Sequence, residues 1–331
     1  MYRANGTGSR FRPFSEGANI TSRSYSRPLQ RAICDFGADH AFGQVSKKLK
    51  EHYGIDIADS AARTVTEYHA SMMDGAPEIA EFVCPAADVI IAESDGSMIP
   101  IVETSNDPSP DRRKNKQLFW KEARLSLARA KGSSSPYFAG TVGSPEEVGK
   151  QLSFCVVRAG ANENSFVHCV GDGAPWIANQ VEERFGSNGR YLIDFYHLCE
   201  YLSAASKVCA PGAEKTWLDA QKEALKVNQH ESVLRALQPH LEAEAGDAES
   251  MPVKDCHRYI KNRLHQLDYQ RALSEDLPIG SGEIESAHRY VIQKRLKLAG
   301  AWWTIDNAKH MLTLRVLRAN SHWDGYWKKA A

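Results

Sequence analysis

Two aspartates, each followed by a glycine, are the side chains of this sequence best suited to chemistry. Asp95 follows a β-branched apolar run, and Asp172 follows a second apolar run. We expect these runs to be neighbouring strands of a mixed sheet, so that the two carboxylates converge at one sheet edge. Carboxylate oxygens are preferred ligands of Mg²⁺ and Mn²⁺, and a pair of such ions can promote phosphoryl transfer. Asp-Gly is also a common turn pair, so each aspartate taken alone could be only a turn former.

A third carboxylate could come from a helix that begins after the Gly-Ser-Gly breaker at 280–282. At about 100° per residue, Glu283 and Glu285 point roughly 160° apart, so at most one of them can face a shared site. His288 and Arg289 fall within about 60° of the direction of Glu285, which therefore shares a face with groups that could contact phosphate. Glu285 and Arg289 could equally be an ordinary surface ion pair. Helical periodicity leaves the choice between the two glutamates open.

The predicted elements between these residues follow a definite order. They are a hairpin over 88–102 that turns at Asp95-Gly96, a strand over 120–130, a helix from Ser144, a strand over 166–170, a helix from Ala174 and a strand over 191–194. Three meandering strands, a helix, a strand, a helix and a strand are the order of a ribonuclease-H-like core. The predicted fold class is therefore α/β.

Helices are predicted on both sides of this core. Before it, apolar spacing over 39–72 gives two helices with a stop at Gly54, which is typical of a helix-turn-helix with Arg63 on its outer side. The same pattern also occurs in bundles that bind no nucleic acid. After the core, 203–272 is helical and charged, and the helix that carries Glu285 is expected to run to about Gly300.

Charge is balanced over the whole chain but not along it. The 331 residues carry 41 basic and 41 acidic side chains, which excludes a globally cationic nucleic-acid binder. Basic residues cluster in 1–28, 112–131 and 287–318, which suggests a polyanionic partner, although each cluster alone could be solvated surface.

The seven cysteines form no C-x-x-C pair, and the sequence has neither a signal peptide nor an apolar run of membrane-spanning length. We therefore expect a protein that stays inside the cell, in a reducing compartment.

Three stretches carry a resemblance to a known family. They are Asp-Gly-Ala-Pro-Trp-Ile at 172–177, Leu-Ile-Asp-Phe-Tyr-His-Leu-Cys-Glu-Tyr-Leu at 192–202, and the long run 277–297 with the Ala-Gly-Ala-Trp-Trp that follows it. The chain resembles the DDE transposases of bacterial insertion sequences, specifically the ISKra type, which are related to Mutator-like and ISL-type transposases. The resemblance extends from about residue 30 to the C-terminus.

The resemblance implies a ribonuclease-H-like core in which Asp95, Asp172 and Glu285 hold two Mg²⁺ or Mn²⁺ ions. It also implies that Asp194 and His197 support the site and that an all-helical insertion precedes the glutamate. The expected activity is cleavage of double-stranded DNA at the terminal inverted repeats of an insertion sequence, followed by strand transfer to target DNA. A homodimer or larger assembly in the bacterial cytoplasm, at the nucleoid, would carry it out. The residues expected to contact DNA are His288, Arg289, Lys294, Arg295, Lys297, Arg63, Arg112 and Arg113.

The predicted elements and the family resemblance together give the expected domains. They are a disordered basic arm at 1–28, a helix-turn-helix DNA-binding region at 29–76, the first part of the core at 86–202, a helical insertion at 203–276, and the helix of Glu285 with the C-terminal helices at 277–331. Two other functions fit the same residues. One is a domesticated, catalytically silent DNA-binding protein, and the other is a nuclease that cleaves without joining.

Overall fold

The computed structural model describes residues 25–74, 84–104, 115–242 and 251–329, together with the backbone of 2–3 and 10–11. The two short pieces are strands, Tyr2–Arg3 and Arg10–Phe11, that pair antiparallel. Most of the predicted basic arm lies outside the described residues, as do Arg112 and Arg113. Within the described parts, no helix has the length and apolarity that crossing a membrane requires.

Three helices precede the central sheet. They are α1 (Arg27–Asp39), α2 (Phe42–Tyr53) and α3 (Asp59–Asp74). α2 ends where the sequence predicts, because Gly54 takes the left-handed backbone conformation with φ of 66°. α1 comes in addition to the two predicted helices, so this region is a three-helix unit in which α3 contacts both α1 and α2.

A five-stranded mixed sheet forms the centre of the protein. Its strands are β1 (Val89–Thr104), β2 (Lys116–Ala130), β3 (Tyr137–Thr141), β4 (Phe166–Gly171) and β5 (Gly189–Ile193). They lie side by side in the order β3-β2-β1-β4-β5. β1, β2 and β3 are antiparallel neighbours, whereas β4 is parallel to β1 and β5 is parallel to β4.

The structure of β1 corrects the predicted hairpin. The chain does not turn at Asp95-Gly96 but continues as one strand of 16 residues, paired with β2 along nearly its whole length. Gly96 serves close packing instead of a turn, because a Cβ there would lie 1.9 Å from Oε1 of Glu122. The Glu122 carboxylate pairs with Arg124 at 2.5 Å. The predicted count of three meandering strands is nevertheless right, because β3, which the prediction omits, supplies the third one.

Helices pack on the sheet and continue after it. Three of them are α4 (Pro145–Arg158), α5 (Pro175–Phe185) and α6 (Phe195–Cys209), which begin where the sequence predicts. The region that follows consists of α7 (Glu214–Lys226), α8 (His230–Leu237), α9 (Pro252–Lys261) and α10 (Tyr269–Ser274), and short 3₁₀ turns occur at Gly186–Asn188, Gln238–His240 and Leu264–Gln266. Within the described residues, the chain between the sheet and Glu285 is therefore mostly helical, as the sequence predicts.

The helix that carries Glu285 contains a π-helical turn. It runs from Gly282 to Leu296 as α11 (Gly282–Ala287), the π-turn (His288–Gln293) and α12 (Lys294–Leu296), and so ends before the predicted Gly300. We call this whole segment the Glu285 helix. Its π-turn is bound by Arg315 of α13 (Ile305–Ala319), whose guanidinium donates to the backbone oxygens of Tyr290 and Val291. The last helix is α14 (Trp323–Lys329).

Two buried clusters hold these elements together. The first packs the sheet against α4, α5, α6 and the helices that follow, and Leu225 and Leu237 are fully buried in it. The second joins β1 and β2 to the Glu285 helix, α13, α14 and the three N-terminal helices. None of the seven cysteines forms a disulfide. Glu285 therefore lies on a helix that packs directly on the strand of Asp95.

Candidate active site

Asp95 and Asp172 come at equivalent positions just beyond the paired part of the parallel strands β1 and β4. The pairing of β1 with β4 places Glu93 opposite Val170, and each aspartate comes two residues later on its strand. Residues two apart along a strand point to the same face, and neighbouring strands lie about 4.8 Å apart. The backbone positions of the two aspartates are therefore close together. Asp172 directly follows β4, whereas Asp95 lies inside β1, which corrects the prediction that Asp95 ends a strand.

The charge of Asp172 acts on the carboxylate of Asp95. Burial is the main cause that raises the pKa of Asp95 to about 6, and the negative charges of Asp172 and Glu122 add to this effect. A hydrogen bond of 2.7 Å from the Gly96 N–H to Oδ1 opposes it, as does the charge of His197. Two acidic groups that repel each other at a half-exposed position form an arrangement that a cation would stabilise.

His288 contacts Asp95 from the Glu285 helix. Its Nε2 lies 3.2 Å from the backbone oxygen of Asp95 and 3.7 Å from Oδ2 of the carboxylate. The imidazole is 2% exposed, and burial lowers its pKa to about 4, so it is neutral near pH 7 and donates its Nε2–H to the carbonyl. The expectation that His288 contacts DNA is therefore corrected, because its side chain is buried against β1.

Glu93 is a buried acid that the sequence analysis missed. It is 1% exposed, and its Oε2 accepts a hydrogen bond of 2.7 Å from the N–H of Ile284. Burial raises the pKa of Glu93 to about 8. The sequence does contain a signal for it. Glu93 lies inside an apolar run and two residues before Asp95, so the two side chains point to the same face of the strand.

Glu283 forms an ion pair with Arg129 of β2. The Nε of Arg129 donates to both carboxylate oxygens of Glu283, at 2.9 and 2.8 Å, and its Nη2 lies 2.5 Å from Oε1. Glu285, two residues further on, is exposed. The structure thus distinguishes the two glutamates that periodicity left equivalent, because Glu283 is bound to a cation and Glu285 is accessible.

Asp194 and His197 lie at the start of α6. The Oδ1 atom of Asp194 accepts hydrogen bonds from the N–H groups of Tyr196 and His197, at 2.6 and 2.9 Å, while Oδ2 accepts from Ser281. Asp194 thus bonds to the backbone of His197 and not to its imidazole. The imidazole is partly exposed, and its Nδ1 lies 3.8 Å from the carboxylate of Glu200.

The predicted triad is brought only partly together. Asp95 and Asp172 each follow the paired part of β1 and β4 by two residues, and Glu285 lies on the helix that contacts the Asp95 strand. Within the described ranges, no three His, Cys, Asp or Glu side chains are grouped so that they could hold a metal ion. A site shared by all three carboxylates requires the exposed Glu285 side chain to turn toward the aspartates.

Arg295 is a core residue, which corrects its expected role in DNA binding. It is 2% exposed, and its guanidinium lies 4.6 Å from the ring centre of Phe42 and 4.7 Å from that of Trp303. Its Nε donates to the backbone oxygen of Gly37 at 2.8 Å. A cation held between two rings and a carbonyl is not available to a phosphate.

The remaining basic candidates within the described residues are on the surface. Arg289 is exposed on the Glu285 helix. The others have partners on the protein surface: Lys294 lies 3.3 Å from Asp39, Lys297 donates to the Ser97 hydroxyl at 3.0 Å, and Arg63 lies 4.0 Å from Glu67. These contacts are weak enough in water for a phosphate to replace them.

The protein has a mixed α/β fold, and two aspartates follow the paired part of its parallel strands β1 and β4. The model of the uncharacterised protein family UPF0236 matches residues 143–329, more than half of the chain, and the chain belongs to this family. The matched region includes Asp172 and Glu285 but not Asp95. No curated protein matches the chain. Among solved structures, the chain is similar to the Drosophila P element transposase strand transfer complex, with 12% sequence identity and a TM-score of 0.32 over 95% of this chain and 82% of that chain.

Proposed function

We propose that this protein is a metal-dependent DNA transposase in which Asp95, Asp172 and Glu285 act on a phosphodiester bond. The observation that carries the proposal is the parallel pairing of β1 with β4, after which Asp95 and Asp172 each follow the last paired residue by two positions. The sheet supports it, because three antiparallel strands followed by two parallel ones, in the order β3-β2-β1-β4-β5, are what a ribonuclease-H-like core requires. In that order the first and fourth strands are neighbours.

Helix geometry supports Glu285 as the third carboxylate. Ile284 is buried against the sheet, and Glu283 reaches Arg129 of β2. Glu283 and Glu285 each lie about 100° from Ile284, on opposite flanks of the helix. Since β2 and β4 lie on opposite sides of β1, Glu285 is on the flank nearer β4, the strand that leads into Asp172.

Divalent cations fit this set of donors. Carboxylates are the hard oxygen ligands that Mg²⁺ and Mn²⁺ take, and a cation would relieve the repulsion between Asp95 and Asp172. When bound, two such ions stabilise charge on the attacking and leaving oxygens of phosphoryl transfer. The residues of the chain would hold them: Asp95 and Asp172 from the sheet, and Glu285 from the helix. The neutral imidazole of His288 would add no repulsion.

The exposed basic side chains would bind the DNA. Arg289 lies four residues after Glu285, so both point to the same side of the helix, and Lys294 and Lys297 extend the positive charge along the chain. The ends of an insertion sequence and the target duplex are the proposed DNA partners, bound by a homodimer or larger assembly. Binding through phosphates should weaken steeply as salt is raised.

Cleavage and joining of DNA by the full chain test this proposal. The probe is a supercoiled plasmid that carries the genomic DNA from both sides of the coding sequence, incubated with Mg²⁺, with Mn²⁺ or with EDTA. The wild type should nick and join this DNA only with a divalent cation. The variants Asp95→Asn, Asp172→Asn and Glu285→Gln should lose about 10³-fold or more in rate while they still bind the plasmid. Glu182→Gln, an exposed carboxylate on α5, is the matched control.

The outcomes separate the alternatives. Cleavage by Glu285→Gln at the wild-type rate would remove Glu285 from the site. Tight binding without any cleavage by the wild type would identify a catalytically silent DNA-binding protein. Cleavage without joined products would identify a nuclease.

A further inference from the structure

We infer that Arg129 is a positioning residue that sets the rotation of the Glu285 helix about its own axis. By holding Glu283 on the β2 side, it directs Glu285 to the opposite side, toward β4. The inference rests on the proposed function, because it explains how the third carboxylate is aimed at the other two.

The ion pair has the geometry that fixes an orientation. Arg129 donates to both oxygens of Glu283, through Nε at 2.9 and 2.8 Å and through Nη2 at 2.5 Å. A planar guanidinium that engages both carboxylate oxygens constrains the direction of the carboxylate as well as its distance. The Arg129 side chain is only 15% exposed, so water screens the pair less than it screens a surface ion pair.

The contacts of the helix with β1 fix its position along the strand. The N–H of Ile284 bonds to Glu93, and His288 contacts the backbone oxygen of Asp95. The four helix positions between these contacts span about 6 Å, and the two strand positions span about 6.6 Å. The helix therefore runs alongside β1 and touches it along one line.

A rotation about that line is opposed by the buried packing of Ile284 and Ala287 and by contacts on the flanks of the helix. At the far end, Arg315 binds the backbone oxygen of Tyr290. At the near end, the hydrogen bonds of Ser281 to Asp194 hold the residue before the helix, and the pair of Arg129 with Glu283 is a flanking contact within the first turn. The near end matters for the site, because Glu285 follows Glu283 by two residues.

Mn²⁺ binding and cleavage by the full chain test this role. Binding is followed by the electron paramagnetic resonance of free Mn²⁺, and cleavage with the plasmid described above. Arg129→Gln and Glu283→Gln should each lower Mn²⁺ affinity by about tenfold or more, as loss of a partner that orients a metal ligand does. The double variant should lose no more than either single variant. The exchanged pair, Arg129→Glu with Glu283→Arg, should recover most of the affinity.

A second ion pair supplies the control. Arg271 and Glu275 lie 2.6 Å apart on α10 with partly exposed side chains, and Arg271→Gln should leave Mn²⁺ affinity unchanged. Wild-type affinity and cleavage in Arg129→Gln would overturn the inference while the proposed function stands. A lowered melting temperature with unchanged Mn²⁺ affinity would also overturn it, because the pair would then only stabilise the fold. Failure of the wild type itself to bind Mn²⁺ and cleave would overturn the proposed function and the inference together.

Discussion

Asp194, which follows β5, accepts hydrogen bonds from both the backbone N–H and the hydroxyl of Ser281, each at 2.6 Å, across 87 positions of the chain. Its other carboxylate oxygen caps the start of α6. One buried carboxylate thus joins α6 to the turn that precedes the Glu285 helix. In this position Asp194 can support the site by holding its framework, without touching a metal.

Removal of this carboxylate should destabilise the fold. Asp194→Ala leaves four donors at Tyr196, His197 and Ser281 without their acceptor, so we expect the free energy of unfolding to fall by about 3 kcal/mol. Urea denaturation followed by circular dichroism measures it. Asp219→Ala, at an exposed position on α7, should change the value by less than about 0.5 kcal/mol. Equal losses in the two variants would contradict the bridging role of Asp194.

Substitution of Gly96 by alanine tests whether β1 is one continuous strand. In the wild type, Gly96→Ala should lower stability, because the new Cβ meets Glu122 and displaces it from Arg124. In a Glu122→Ala background that obstacle is gone, and alanine in an extended strand should be more stable than glycine by about 0.5 to 1 kcal/mol. Thermal unfolding of the four proteins gives the comparison. If Asp95-Gly96 formed a turn with positive φ, the alanine would remain destabilising in both backgrounds.

Arg295 and Arg289 should respond in opposite ways to replacement. Arg295→Ala removes the contacts with Phe42 and Trp303 and the hydrogen bond to Gly37, so we expect a loss of about 3 kcal/mol in the free energy of unfolding. Arg289→Ala at the surface should cost less than about 0.5 kcal/mol. Chemical denaturation measures both. Similar losses would show that Arg295 is not in the core.

Protonation of His69 should make the stability of the protein depend on pH. It is buried between the Tyr326 hydroxyl at 2.8 Å and the Gln30 side chain at 2.7 Å, and burial lowers its pKa to about 4. The unfolded chain takes up this proton below about pH 6.5 and the native protein does not. The contribution of His69 to stability should therefore be level above about pH 6.5 and fall by about 3 kcal/mol as the pH decreases toward 4.

The variant His69→Gln measures that contribution. Its free energy of unfolding should decrease less between pH 6.5 and 4 than that of the wild type. The dependence should not vanish, because burial also lowers the pKa of His288 to about 4. Parallel pH profiles for the two proteins would show that His69 is protonated to the same extent in the native and unfolded states.

The sequence predicts elements well where local signals decide. Gly54 ends α2 because only a left-handed residue continues the chain there, and the Ser144-Pro145 pair starts α4. The sequence fails at Asp95-Gly96, because the same dipeptide that favours a turn also fits a strand beside a large side chain. What decides is Glu122 on the neighbouring strand, which local spacing does not reveal.

The candidate site also combines features that local sequence predicts with features that depend on distant residues. Asp95, Asp172 and Glu285 can be selected from sequence patterns and the family resemblance, but their relation to one another depends on the register of β1 with β4. The burial of Arg295 likewise depends on Phe42, which is distant in the chain. Periodicity places a charged side chain on a helix face but cannot show that another element covers that face.

The most direct test of the account is a crystal structure of the full chain grown with Mn²⁺ and measured for anomalous scattering. We predict anomalous peaks between the carboxylates of Asp95 and Asp172, within about 2.0 to 2.3 Å of their oxygens, with the Glu285 side chain turned toward them. Crystals that bind Mn²⁺ elsewhere but show no peak between these two aspartates would contradict the central claim.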